Sequence, residues 1–205
     1  MPRTLSGQQD RSLSSDAEQA PVRLEPITAV AVEPVSLAQA KLWLRVDHDA
    51  EDDLITALVS AARDYVEAQT GLALAPQTWR LAVRPSELPV ELPRPPFGAL
   101  LSAEALLNDG STKAVPLGDL LAVGVEPALV TLRQGAALPS GSIELRLEYT
   151  CALSAGVPPR AMQVLKLLIA HWYEHREAAA DATDEFREPP YSATALLDTL
   201  KIMRL

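Results

Sequence analysis

The segment VSLAQAKLWLRVDHDAEDDLITALVSAARDYVEAQTG, residues 35–71, decides the fold of this chain. Ser36 is followed three residues later by Gln39, and this capping-box pattern predicts that a short helix begins here. A second helix is predicted from Glu51 to Thr70, because apolar side chains recur there at helical spacing. Gly71 supplies the left-handed residue that commonly follows a helix. With a rise of ~1.5 Å per residue, this helix is expected to be roughly 30 Å long.

A further helical segment, VPPRAMQVLKLLIAHWYEHRE, occupies residues 157–177. Pro158 and Pro159 suit the first positions of a helix, where a missing N–H does no harm. The apolar side chains that follow form one broad face. We expect this helix to pack against the helix at residues 51–70, since each has an apolar face that it cannot bury alone.

The region between these helices, residues 76–150, has a different pattern. Residues 142–149 alternate strictly between apolar and polar side chains, which is typical of a half-buried antiparallel strand. Asn108-Asp109-Gly110 is a hairpin signal, and the prolines of the PRPP sequence at 93–96 exclude a helix there. The segment at 99–107 is therefore interpreted as strand, and the region is predicted to contain about five strands.

The predicted fold class is α+β, with a bundle of long helices, a β-rich insert between the second and third helix, and extended N- and C-terminal arms. We expect the following parts: a disordered or extended N-terminal arm (1–26), a helical domain (27–75 and 151–190), the β-rich insert (76–150) and a C-terminal docking tail (191–205).

Composition narrows the range of functions. The net charge is −9 and the pI is about 4.8, which disfavours a general nucleic-acid-binding surface. Cys151 is the only cysteine, so no intrachain disulfide is possible and a reducing compartment is expected. We interpret Cys151 as a small core residue. No export signal and no apolar run of about 20 residues are found, and a soluble protein made in the cytoplasm is the expectation.

The sequence His171-Trp172-Tyr173-Glu174-His175 matches the H-x-x-E-H pattern of inverted zinc peptidases. On a helix this spacing places both imidazoles on one face, with the glutamate positioned as a general base. Catalytic zinc needs a third protein ligand, however, and the remaining acidic candidates (Asp181, Asp184, Glu185 and Glu188) lie in an apparent loop. We therefore predict no catalytic residue and no metal, and keep a zinc-dependent peptidase as an alternative hypothesis.

The acidic run between Asp47 and Asp53 suggests calcium at first sight. It lacks the glycine and the bidentate glutamate of an EF-hand loop. Carboxylates at the start of a helix are also favoured by the helix dipole, and this explains the run better. No glycine-rich phosphate loop and no nucleophile motif occur, so the sequence predicts no cofactor.

Taken together, these segments resemble the phage head–tail connector (adaptor) family, which occurs in long-tailed phages, prophages and gene transfer agents. The resemblance covers residues 33–205. Its most specific parts are the L-R-V-D-H-D and D-D-L-I sequences of the first two helices, the L-P-R-P-P turn and the H-W-Y-E-H-R-E sequence of the third long helical segment. The H-x-x-E-H pattern falls inside that last signature, where related sequences look structural.

The resemblance implies a structural virion protein located at the neck of the particle. It implies a ring of twelve copies between the portal protein and a stopper or tail-terminator protein. DNA would pass through the channel without sequence-specific binding, and no membrane would be involved. The alternative to a connector, besides the peptidase, is a generic cytosolic oligomerisation module.

The resemblance to the connector family implies that the C-terminal tail is the portal-binding segment. Its apolar side chains are crowded into a few positions after an acidic loop, and exposed apolar area is costly in water. The other interpretation is that the tail folds back on its own subunit. The residues assigned to portal binding are Leu196, Leu197, Leu200, Lys201, Ile202, Met203, Arg204 and Leu205.

Overall fold

A computed structural model describes residues 23–151, 156–175 and 190–201 of the chain. Within these ranges the chain forms four α-helices and eight strands. The helices are α1 (Leu37–Leu44), α2 (Asp52–Thr70), α3 (Pro159–Glu174) and α4 (Tyr191–Asp198). The strands are β1 (Arg23–Pro26), β2 (Gln77–Val83), β3 (Val90–Leu92), β4 (Phe97–Leu107), β5 (Thr112–Ala114), β6 (Leu120–Val123), β7 (Ala128–Leu132) and β8 (Ser142–Cys151).

The strands build two antiparallel sheets. The five-stranded sheet has the order β1-β2-β8-β4-β5, and the three-stranded sheet has the order β3-β7-β6. The alternation predicted for β8 is confirmed, because Leu145, Leu147, Tyr149 and Cys151 are all buried. Cys151 is thus a core residue, as the sequence indicates. The segment at 99–107 is confirmed as strand, within β4.

The helices pack around their own core. The predicted contact between α2 and α3 is confirmed, and α4 packs on α3 and α2. The capping box at the start of α1 is also confirmed: the Gln39 amide donates to Ser36 Oγ at 3.2 Å, and the Ser36 amide donates to Gln39 Oε1 at 3.0 Å. We call the buried set the helical core: Val35, Ala40, Ile55, Val59, Ala62, Val66, Leu74, Ala161, Val164, Leu165, Leu168, Ile169, Ala193 and Leu197.

A second buried cluster lies between the two sheets and is called the sheet core here. Its members are Ala73, Leu81, Val83, Leu92, Ala103, Ala105, Leu107, Val115, Leu120, Ala128, Val130, Leu145, Leu147, Tyr149 and Cys151. No helix in the described ranges is long and apolar enough to cross a membrane. The domain boundaries given above stay a prediction.

The prediction of a bundle of long helices is wrong. α1 and α4 have 8 residues each, and α1 ends where Arg45 adopts a left-handed conformation with φ 60°. Among the described residues only α2 and α3, with 19 and 16 residues, are long. All eight described strands lie in the two sheets, and one of the two cores is built by them, so the architecture is mixed α and β.

The predicted extended arms also need correction. Residues 23–26 are strand β1, which pairs with β2 at the edge of the five-stranded sheet, while residues 1–22 lie outside the described ranges. The C-terminal segment is helix α4 over residues 191–198 and is not extended, because burial of Ala193 and Leu197 in the helical core stabilises it. The middle region has seven strands, β2 to β8, and not about five. The prediction was too low because several of these strands are too short to show an alternating pattern.

Candidate functional site

The H-x-x-E-H residues lie at the end of α3. His171 and Glu174 are in its last turn, and His175 is its C-terminal cap. The two imidazole rings are 4.5 Å apart, and His175 Nδ1 lies 2.8 Å from the carbonyl oxygen of His171. This contact occupies one ring nitrogen with the backbone. Within the described residues no group of three His, Cys, Asp or Glu side chains could hold a metal ion, and Asp181, Asp184, Glu185 and Glu188 lie outside them.

The predicted portal-binding residues are divided by the structure. Leu197 is 3% exposed, and Leu196 and Leu200 pack on the helical core. Lys201 is exposed and forms an ion pair with Asp198 at 2.8 Å. Ile202, Met203, Arg204 and Leu205 lie outside the described residues. Portal binding by this segment stays a prediction, and the apolar side chains of α4 contribute to their own subunit's core.

The acidic run before α2 forms ion pairs with a lysine side chain, and these pairs were not predicted from the sequence. Lys41 of α1 donates to Asp49 at 2.6 Å and to Asp52 at 2.7 Å. These bonds raise the pKa of Lys41, and the bond from Lys41 lowers the pKa of Asp49. Asp52 and Asp53 lie in the first turn of α2, as the dipole argument requires. The run therefore ties α1 to the start of α2.

A buried polar network joins the two cores, and its residues were not singled out from the sequence. The carboxylate of Glu67, a residue 4% exposed, accepts from the Leu74 amide at 2.7 Å and from Gln77 Nε2 at 2.7 Å. It also pairs with Arg63 at 3.3 Å, and Arg63 binds Glu33 at 2.8 Å. One sequence signal for this network was available: Arg63 and Glu67 are four residues apart on one helix, a spacing that predicts an ion pair.

The PRPP turn completes this junction. Arg94 has φ 60°, its guanidinium lies 5.2 Å from the centre of the Trp79 ring, and its Nη1 donates to the Glu67 carbonyl oxygen at 3.0 Å. Tyr149 donates to the Pro93 carbonyl oxygen at 2.8 Å. The turn therefore bridges the end of α2 and the sheet core. We call the residues Glu33, Arg63, Glu67, Gln77, Trp79 and Arg94 the polar junction.

Burial and ion pairing shift the pKa values of several side chains in the sheets. Burial raises the pKa of the Cys151 thiol to about 12 and also raises the pKa of Tyr149. Such a thiol is not a nucleophile at neutral pH. On the outer face of the five-stranded sheet, hydrogen bonds from Arg80 and then Ser102 lower the pKa of Glu148. Both effects are those of a packed, ion-paired scaffold.

The surface also shows apolar side chains on rigid elements. On α1, Leu42 is 81% exposed and Trp43 is 42% exposed. Near β6 and β7, Val123, Val125 and Leu129 are exposed as well, and Val123 is paired with Leu129 across the strands. Apolar residues grouped in this way are a feature of protein–protein contact surfaces. These two groups are therefore candidate contact surfaces for other chains.

Comparison with known proteins finds a similar family for one part of the chain. The family model described as "Phage gp6-like head-tail connector protein" matches residues 34–94, from the start of α1 to the PRPP turn. The match confirms the resemblance predicted from the sequence. No curated protein sequence matches the chain.

Solved structures share the fold over most of the chain. One similar chain, from the neck of an empty gene transfer agent particle computed with C6 symmetry, is 21% identical with a TM-score of 0.70, covering 89% of this chain and 97% of that one. A chain from the virion of a native gene transfer agent particle is 23% identical, with a TM-score of 0.71 and coverages of 89% and 96%. A third, from the neck of a native particle computed with C12 symmetry, is 23% identical, with a TM-score of 0.65 and coverages of 89% and 97%.

Proposed function

We propose that this protein is a head–tail connector, a structural subunit of the neck of a phage-like particle. The observation that carries the proposal is the extent of the fold match: 89% of this chain aligns with 97% of a chain from a gene transfer agent neck. The connector family model covers the α1–α2 part of the same fold independently. The proposed role is assembly, and no enzymatic activity is assigned to the protein.

In the proposed neck, copies of the chain form a ring of twelve around a DNA channel. The particles with similar chains were computed with C6 and C12 symmetry, and both symmetries are compatible with twelve copies. The net charge of −9 suits a conduit, since acidic walls repel passing phosphates and do not retain them. DNA would therefore pass without sequence-specific binding.

The proposed neighbours are the portal protein on one side and a stopper or tail-terminator protein on the other. Portal contact is assigned to the end of the chain, from Lys201 onwards, because α4 before it is committed to the helical core. Deleting residues 202–205 should leave the free energy of unfolding unchanged and abolish capture by the immobilised portal. A variant with Lys113→Ala, at an exposed position on β5, is the matched control. Normal capture of the truncated chain would contradict this assignment.

The connector role is tested in the producing cells. Particles from cells lacking the protein should be filled heads without tails, and re-expression of the full chain should restore tailed particles. Electron microscopy and mass spectrometry of purified particles provide the readout. Tailed, infective or transfer-competent particles that lack this protein would rule the role out.

A further inference from the structure

We propose that the outer face of α1 packs against the outer face of α2 in a second copy of the chain. The outer face of α1 is defined by Leu42 and Trp43, and the outer face of α2 by Ala57, Ala61 and Ala68. The choice of a second copy rests on the proposed connector function, in which identical chains repeat around a ring. The choice of these two faces rests on their shape, position and charge.

The outer face of α1 is rigid. The capping box fixes the start of the helix, and Lys41 ties it to Asp49 and Asp52. Ala40, only 1% exposed, holds its inner side in the helical core. Leu42 is nevertheless 81% exposed. Exposing a large apolar side chain to water is unfavourable, and no contact within the described subunit covers this one. Large apolar side chains of this kind are typical of the centre of an interface.

The outer face of α2 is complementary in size. Ala57, Ala61 and Ala68 are exposed and lie four and seven residues apart, so they share one side of the helix. A surface helix usually has long polar side chains on that side. Small side chains allow a neighbouring helix to approach closely, and the large side chains of α1 fit between them.

The two faces point in different directions, as a ring requires. α2 directs Ile55, Val59 and Val66 towards the helical core that it shares with α3, so its alanine face points away from α3. Trp43, by contrast, lies beside α3, with Lys166 Nζ at 5.5 Å from its ring centre. A contact between two different faces is heterologous, and a heterologous contact is the kind that generates cyclic assemblies.

The charges around the two faces are also complementary. Arg45, the exposed C-terminal cap of α1, and Lys166 provide positive charge near Leu42 and Trp43. The alanine face carries Asp53 and Asp64, and the Asp64 side chain is 70% exposed although it pairs with Arg63. Within the described part of the chain, Arg45 and Asp53 have no ion-pair partner. Opposite charges at the rim of a contact favour one register and one partner.

Disulfide trapping in the full chain tests this arrangement. The double variant Leu42→Cys with Ala61→Cys, oxidised at high protein concentration, should form a ladder of dimers, trimers and larger covalent species. Each single variant alone should stay monomeric on a non-reducing gel, and mixing the two single variants should give dimers only. The native Cys151 is fully buried with a raised pKa, so it does not interfere. The matched control pair is Leu42→Cys with Lys113→Cys, which places the second thiol on β5.

Failure of the double variant to form a ladder beyond that of the control pair would overturn the proposal. Dimers from Leu42→Cys alone would overturn it as well, since they would indicate contact between two identical faces. The connector role fails separately: a ladder from a protein that is absent from particle necks would preserve this contact and refute the role. If the protein is present in particle necks but the Leu42→Cys/Ala61→Cys variant forms no ladder, the connector role stands and the proposed contact is refuted.

Discussion

Glu67 offers the sharpest test of the polar junction. Its buried carboxylate accepts from the Leu74 amide and from Gln77, and it pairs with Arg63. In Glu67→Ala the Leu74 and Gln77 donors lose their acceptor inside the protein, at ~1–3 kcal/mol each. Arg63 keeps Glu33, so its charge stays paired. The expected loss in the free energy of unfolding is about 2–6 kcal/mol, the combined cost of the two buried donors left without an acceptor.

The conservative variant separates hydrogen bonding from charge. Glu67→Gln keeps an oxygen acceptor for the Leu74 amide while removing the charge that faces Arg63, and a loss of about 1–2 kcal/mol is expected. Gln69→Ala, at an exposed position on the same helix, should stay within about 0.5 kcal/mol of the parent chain. Urea unfolding monitored by circular dichroism measures all three. If Glu67→Ala costs no more than Gln69→Ala, the junction does not hold the two cores together.

Further outcomes follow from the same structure. Leu168→Asp should cost about 4 kcal/mol of unfolding free energy, because it buries an unpaired charge, whereas the exposed Gln163→Asp on the same helix should be nearly neutral in the same urea assay. Arg94→Gly should be less destabilising than Arg94→Ala by about 1 kcal/mol in thermal unfolding, because only glycine relieves the left-handed backbone. Glu148 has a lowered pKa when folded, so it stabilises the protein above its unfolded pKa and this contribution is lost as the pH falls through the folded value. The stability difference between the parent chain and Glu148→Gln should therefore shrink between neutral pH and about pH 3, and a constant difference would refute this.

The parts of the fold that the sequence predicts are those with a local, repeating signal. α2 and α3 each have an apolar face with helical spacing, and β8 alternates over its length. Strands β3 and β5 have three residues each, and a period of two cannot be recognised in so few positions. β3 depends on pairing with β7, which lies about forty residues further along the chain, whereas β5 pairs with β4 across the hairpin at 108–110. The prediction of a short α1 agrees with the structure. The prediction of a helix bundle was wrong because the strands, several of them too short to recognise, build a core of their own.

The candidate site illustrates the same division. The capping box and the core position of Cys151 are local properties and were predictable. The polar junction was not, because Glu33, Glu67 and Arg94 are far apart in sequence. Glu33 reaches α2 through Arg63, and Arg94 reaches the Glu67 carbonyl through the turn at Pro93. A buried carboxylate in a helix looks like an ordinary surface charge until its three donors are located.

The character of the junction matters for assembly. Two cores joined by apolar contact can shift slightly at little cost, because burial is non-directional. Hydrogen bonds fix angles, and among the described residues no buried side-chain nitrogen or oxygen lacks a partner. In the proposed ring each copy is related to the next by the same rotation, and a small error in that rotation accumulates around the circle until the ring fails to close. The hydrogen bonds of the polar junction fix the orientation of the helical core relative to the sheet core within each subunit. Variants that loosen it, such as Glu67→Ala, are therefore expected to impair ring closure as well as lower the free energy of unfolding.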